Sequence, residues 1–131
     1  MEWTVNTSPT YDSRVKRYTK KRQQETLQTH INLQTYVAAL NEGVKPMQLM
    51  GAYGFVHNEK SGLYAVDQSG AKRKLAETRL YFYPDERTCT VWLLNIGDKA
   101  SQKRDLSECR DMVNDIIENL GDANGKQKSN A

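Results

Sequence analysis

Three groups of cations along the chain could hold an anion between them. Arg14, Lys16, Arg17, Lys20, Lys21 and Arg22 fall within nine residues, Lys72, Arg73, Lys74 and Arg79 within eight, and Lys99, Lys103 and Arg104 within six. Gathered on one surface, such side chains attract phosphate by replacing its condensed counterions. For the first group a solvated helical face competes with this reading, because it lies in the most polar part of the chain. The net charge of +3 is modest, so the placement of the cations matters more than their sum. Tyr81 and Tyr83 follow Arg79 at strand spacing, which puts all three on one face of a strand. There the rings either stack on unpaired bases or act as ordinary sheet residues. Trp92 lies in an apolar stretch and reads as core.

Other chemistries are sparsely provided for. Cys89 and Cys109 are the only cysteines, far apart and without a neighbouring ligand pair, which predicts neither a zinc site nor a disulfide framework. His30 and His57 are the only histidines, and each reads as a surface or packing residue. With 37% hydrophobic and 27% charged residues in 131, the composition is that of one polar, globular domain rather than a disordered or membrane chain. The apolar run Val91 to Leu94, like every other in the chain, is far too short to cross a bilayer. The first residues carry no basic and apolar leader, which predicts a reducing, cytoplasmic setting.

The elements that must position these groups follow from periodicity and turn chemistry. Trp3 to Val5 reads as a strand, and Ser8-Pro9 as a helix start. Helix is expected from about Pro9 to about Glu42, broken near Lys21 to Glu25, with Leu33, Tyr36, Val37 and Leu40 on its buried face and Gly43 as its stop. Residues 44–61 read as a loop whose Met47, Leu49, Met50 and Phe55 close one end of the core. Strands are expected at Leu63–Val66, Thr78–Tyr83 and Thr90–Ile96, with turns at Asp67–Gly70 and Pro84–Arg87, giving an antiparallel meander. Leu106, Cys109, Val113, Ile116 and Leu120 recur on one face of a closing helix, capped by Asp105 and ended by Gly121. The expectation is an α+β fold: an N-terminal strand and helical hairpin packed on a small, mainly antiparallel twisted sheet, with a C-terminal helix. It makes one domain over residues 1–121 and a mobile polar tail over 122–131.

Thr78-Arg79-Leu80-Tyr81-Phe82-Tyr83, the apolar Val91-Trp92-Leu93-Leu94 and the segment from Gly97-Asp98-Lys99 through Gln102 to Asp105-Leu106 together resemble the RelE/ParE superfamily of bacterial type II toxins. They are similar to the family's "YRLYF" strand, its apolar strand and the "GDKxxQxxDI" loop opening its last helix. Leu63 to Asp67 resembles its "LYELR" strand more loosely. The match covers roughly residues 62–117, and the N-terminal half agrees in element order only.

The resemblance implies a RelE/ParE-like fold, a cognate antitoxin as partner, and either ribosome-dependent cleavage of messenger RNA or binding of DNA gyrase. Cleavage by the RNA's own 2′-hydroxyl needs a base, cations for the phosphorane and an acid for the departing 5′-oxygen, and obliges no metal ion or cofactor. By position in the family pattern, Arg79 would stabilise the transition state and Lys99 would clamp the scissile phosphate or take part in proton transfer. Lys72 and Lys74 are candidates for the family's base and phosphate-binding lysines, or else belong to a solvated hairpin. Tyr81, Lys103 and Arg104 complete the expected RNA-binding set. The chain departs from the ribonuclease pattern at the start of the last helix, where members carry a tyrosine or histidine acid and this one has Gln102, Lys103, Arg104 and Asp105. Asp98 could act with Lys99 or simply bond to backbone amides. The missing acid also permits a non-enzymatic gyrase inhibitor or an inactive antitoxin-binding homologue.

Overall fold

Ser8 and Pro9 open the first helix as their chemistry demands. The structure, a computed structural model, describes residues 2–126, with side chains as far as residue 119. Ser8 keeps an extended backbone and its hydroxyl accepts from the Tyr11 amide at 3.0 Å, while Pro9 fills the first helical position, where no N–H is required. Helix α1 (Pro9–Lys21) ends at Arg22, and α2 (Gln23–Asn41) follows at once. The break falls where Lys20 to Thr26 offers no large apolar side chain whose burial would hold a continuous helix. At the far end, Gly43 adopts φ +98°, and the amides of Gly43 and Val44 turn back onto the carbonyls of Leu40 and Ala39 at 2.9 and 3.1 Å.

Five strands form one mixed sheet: β1 (Thr4–Thr7), β2 (Val56–Asn58), β3 (Tyr64–Asp67), β4 (Thr78–Asp85) and β5 (Thr90–Asp98). Their order is β1-β5-β4-β3-β2, with β2 to β5 an antiparallel meander and β1 parallel to β5. Two details correct the loop expected over 44–61. It contains a single-turn helix α3 (Pro46–Leu49) and strand β2, both too short to register as a hydrophobic period. Leu49 and Phe55 join the core, whereas Met47 and Met50 are exposed. Strand β4 also continues through Pro84, beyond the last β3 partner at Phe82, so no ladder bond is lost on that side.

Helix α4 (Gln102–Lys126) corrects both expected caps. It begins before Asp105, which is fully buried inside it, and passes through Gly121, a position that costs a helix only about 1 kcal/mol. The expected tail is therefore helical as far as Lys126, while 127–131 and the Leu120 side chain lie outside what the structure describes.

The sheet buries both faces. Leu80, Phe82, Val91, Leu93 and Ile96 pack with Tyr11, Tyr18, Leu33, Tyr36 and Leu40 of the helical hairpin. Tyr81 and Leu94, with Leu63 and Ala65, pack with Cys109 and Val113 of α4. Alternation along β5 breaks once: Tyr81 pairs with Asn95 and Phe82 with Leu93, leaving Leu94 bulged. The extra residue moves Ile96 onto the hairpin face and turns Gly97, the partner of Arg79, toward α4. Because β1 pairs with β5 only as far as Leu93, the remaining edge of β5 is closed by α1, whose Ser8 hydroxyl donates to the Leu94 carbonyl at 2.7 Å.

Candidate functional site

Arg79 projects from β4 toward α4, the same side as Tyr81. Its guanidinium lies 2.7 Å from Glu59 Oε2 through Nη1 and 3.5 Å from Glu77 Oε2 through Nη2, and the side chain keeps 19% exposure. Glu59 is itself tied to α4, because its carbonyl accepts from Arg110 at 3.2 Å. Both ends of the guanidinium fork thus face carboxylates, and the local charge is balanced rather than strongly cationic. A sequence window cannot show this: Glu59 is twenty residues away, in the turn after β2.

The remaining candidates divide among three places. Lys99 is exposed in the β5–α4 turn, where it lines a shallow recess of about 370 Å³ with Gln102, Lys103 and Leu106. The register sets this turn at the same end of the sheet as Arg79, since Arg79 pairs with Gly97 and Thr78 with Asp98. Arg104 is exposed on α4 but does not line that recess. Lys72 and Lys74 are exposed in the segment joining β3 to β4, which is drawn toward α2 instead: the Ala76 amide donates to Glu25 at 3.0 Å, and Ala71 and Leu75 line a groove with Gln23, Gln24, Leu27 and Gln28. Tyr81 is fully buried beneath α4, with burial pushing its phenol pKa up, so of its two possible roles it takes the packing one and offers no ring face to a base. Trp92 packs against the same cluster.

A polar network that sequence reasoning did not anticipate fastens this end of the sheet. The fully buried Asp105 carboxylate meets Arg14 Nη2 at 3.3 Å, Asn95 Nδ2 at 3.4 Å and the Ser101 hydroxyl at 2.6 Å. Arg14 also reaches Asn95 Oδ1 at 3.4 Å, so a cation from α1 crosses the open edge of β5 to reach α4 on the other face. Of the remaining basic residues of that group, Lys16, Arg17, Lys20 and Lys21 are exposed, in keeping with a solvated face, and Arg22 is half-buried. Asp98 takes the backbone role considered for it, accepting from the Ser101 amide at 3.2 Å. Burial alone would raise its pKa, but the Ser101 amide, the Tyr18 hydroxyl, the Ala100 amide and the Arg22 charge outweigh that and lower it.

His30 fills a packing role between α1 and α2: Nδ1 donates to the Thr26 carbonyl at 2.7 Å and Nε2 accepts from the Tyr11 hydroxyl at 2.6 Å. His57 has a different setting, on β2 with its Nε2 2.6 Å from Asp67 Oδ2. Asp67 would be raised by burial, yet hydrogen bonds from Ser69 and His57 lower its pKa overall. Cys109 is buried and its thiol is pushed up to about 12, first by burial and then by Asp105, which leaves it unreactive. Among the described residues, no group of three or more His, Cys, Asp or Glu could hold a metal ion, and no helix is long and apolar enough to cross a membrane.

Compared with known proteins, the chain matches no family model, and no curated protein matches it.

Proposed function

We propose that this chain is a RelE/ParE-type toxin of the cytoplasm that cleaves messenger RNA on the ribosome and is held in check by a cognate antitoxin. The observation that carries the reading is the β4–β5 register, which puts Arg79 at the end of the sheet where Lys99 leaves β5 and Lys103 enters α4. In this reading a phosphate oxygen displaces Glu77, the more distant and more exposed of the two carboxylates, from the outer end of the Arg79 fork. Arg79 then stabilises the phosphorane while Glu59 keeps the guanidinium aimed. Lys99 clamps the same phosphate, and Lys103, Arg104, Lys72 and Lys74 hold flanking backbone. Purified protein added to translating ribosomes should cut the message, and mapped 5′ ends should fall within translated codons. Arg79→Ala should lower the cutting rate about 10²–10³-fold. Intact messages at growth-arresting doses would sink the reading.

One observation favours a second reading. Arg79 is neutralised by two carboxylates and Tyr81 is buried, an arrangement that suits a non-enzymatic binder using only its exposed cations. Inhibition of supercoiling by purified DNA gyrase, with RNA left intact, would select it. Loss of both activities with antitoxin binding retained would identify an inactive homologue.

A further inference from the structure

His57 pairs across the β2–β3 ladder with Ala65, a side chain packed beneath α4, so its imidazole leaves the sheet on the same face as Arg79. Its partner Asp67 is directly opposite Arg79 on the β3–β4 ladder. A carboxylate only accepts hydrogen bonds, so the proton between them is on Nε2, and in the neutral ring Nδ1 carries the lone pair. Among the described residues no hydrogen bond occupies Nδ1. The second Asp67 oxygen accepts from the Ser69 amide at 2.8 Å, which fixes the carboxylate and through it the ring. With side-chain exposures of 30% for His57 and 13% for Asp67, the ring is reachable while its orienting group is shielded.

We propose that His57, oriented by Asp67, is the general base of the Arg79 site, with water protonating the leaving oxygen in place of the acid that the start of α4 lacks. This rests on the endonuclease reading. Nδ1 takes the 2′-hydroxyl proton as the 2′-oxygen bonds to phosphorus; the bond from phosphorus to the 5′-oxygen breaks, and that oxygen takes a proton from water. The hydroxide left behind removes the proton from the imidazolium, which restores the neutral ring. The products are a 2′,3′-cyclic phosphate and a 5′-hydroxyl end. Asp67 touches no reacting atom and is a positioning residue, holding the tautomer and stabilising the transient imidazolium.

The test is single-turnover cleavage by the full chain on translating ribosomes, with ribosome binding and thermal melting measured alongside. His57→Ala should cut about 10²-fold more slowly or worse, with binding preserved and only the small melting loss of one half-exposed hydrogen bond, and added imidazole should restore part of the rate. Asp67→Asn should slow cutting with binding unchanged, and His57→Gln, which keeps a polar side chain of similar reach on β2, should be as slow as His57→Ala. If His57→Ala cuts at the rate of the unsubstituted chain, or if its loss is matched by lost melting stability and imidazole restores nothing, the dyad assignment is overturned while the endonuclease reading stands. If the unsubstituted chain cuts no message, that reading falls and the dyad falls with it.

Discussion

Arg14 and Asp105 show how single residues carry more of this structure than their sequence context announces. Asp105 has no exposure and Arg14 is its only cationic partner among the described residues, so removing either strands a buried charge. Asp105→Ala should cost about 3–5 kcal/mol in urea unfolding, whereas replacing both partners by apolar side chains of similar volume, Arg14→Met with Asp105→Leu, should recover much of it. Asp67 and Asp98 act on pH dependence. Both have pKa values lowered by folding, so the stability each contributes is fully present above the unfolded carboxylate value, about 4, and is lost as pH falls through the folded value. Melting temperature should therefore drop on acidification below about pH 4, and Asp98→Asn should flatten that drop; parallel curves for the two proteins would refute the assignment.

At the scale of elements, the β5 bulge and the helix it faces determine where the site residues point. Gly97 exists in this form because Asp105 and Ser101 lie directly over it: a Cβ there would overlap the Asp105 carboxylate and come within 2.8 Å of the Ser101 oxygen. Gly97→Ala should cost about 1–3 kcal/mol in chemical denaturation, and if the bulge is what aims Arg79, ribosome binding should weaken with it. The start of α1 is held twice by Ser8, whose hydroxyl accepts from Tyr11 and donates to Leu94 on β5. Ser8→Ala should lower stability by about 1 kcal/mol, and amide exchange should rise first in α1 and along the adjoining edge of β5.

Over the whole molecule, the exposed cations among the site candidates occupy two flanks of one sheet end rather than one continuous patch. Lys99 and Lys103 line the α4 side, and Lys72 and Lys74 lie toward α2. If single-stranded RNA crosses that end, the logarithm of the affinity should fall linearly with the logarithm of salt concentration, and each neutralising substitution should reduce the slope by about 0.7. Lys72→Ala and Lys103→Ala, measured by fluorescence anisotropy with unstructured RNA, should each show that reduction, and the pair should be additive. A change only for Lys103→Ala would confine the path to the α4 flank.

Much of the architecture follows from local pattern alone. Alternation marks β4 and β5, a spacing of three and four marks the buried face of α4, Ser8-Pro9 and Gly43 bound the helical hairpin, and the absence of apolar residues after Lys20 marks its break. Those features depend on a residue and its near neighbours, so the amino-acid order suffices to determine them. The β2 strand and the buried place of Asp105 do not, because each is decided by packing against segments distant in the chain. The same holds for the site. Arg79 and Lys99 can be picked out from their strand and turn, but the carboxylates that neutralise Arg79, the α4 cover over Tyr81 and the pairing of His57 with Asp67 arise only once β2, β3 and β4 lie side by side. Strand pairing turns separations of ten or twenty residues into hydrogen-bond distances, and only the tertiary structure carries that information.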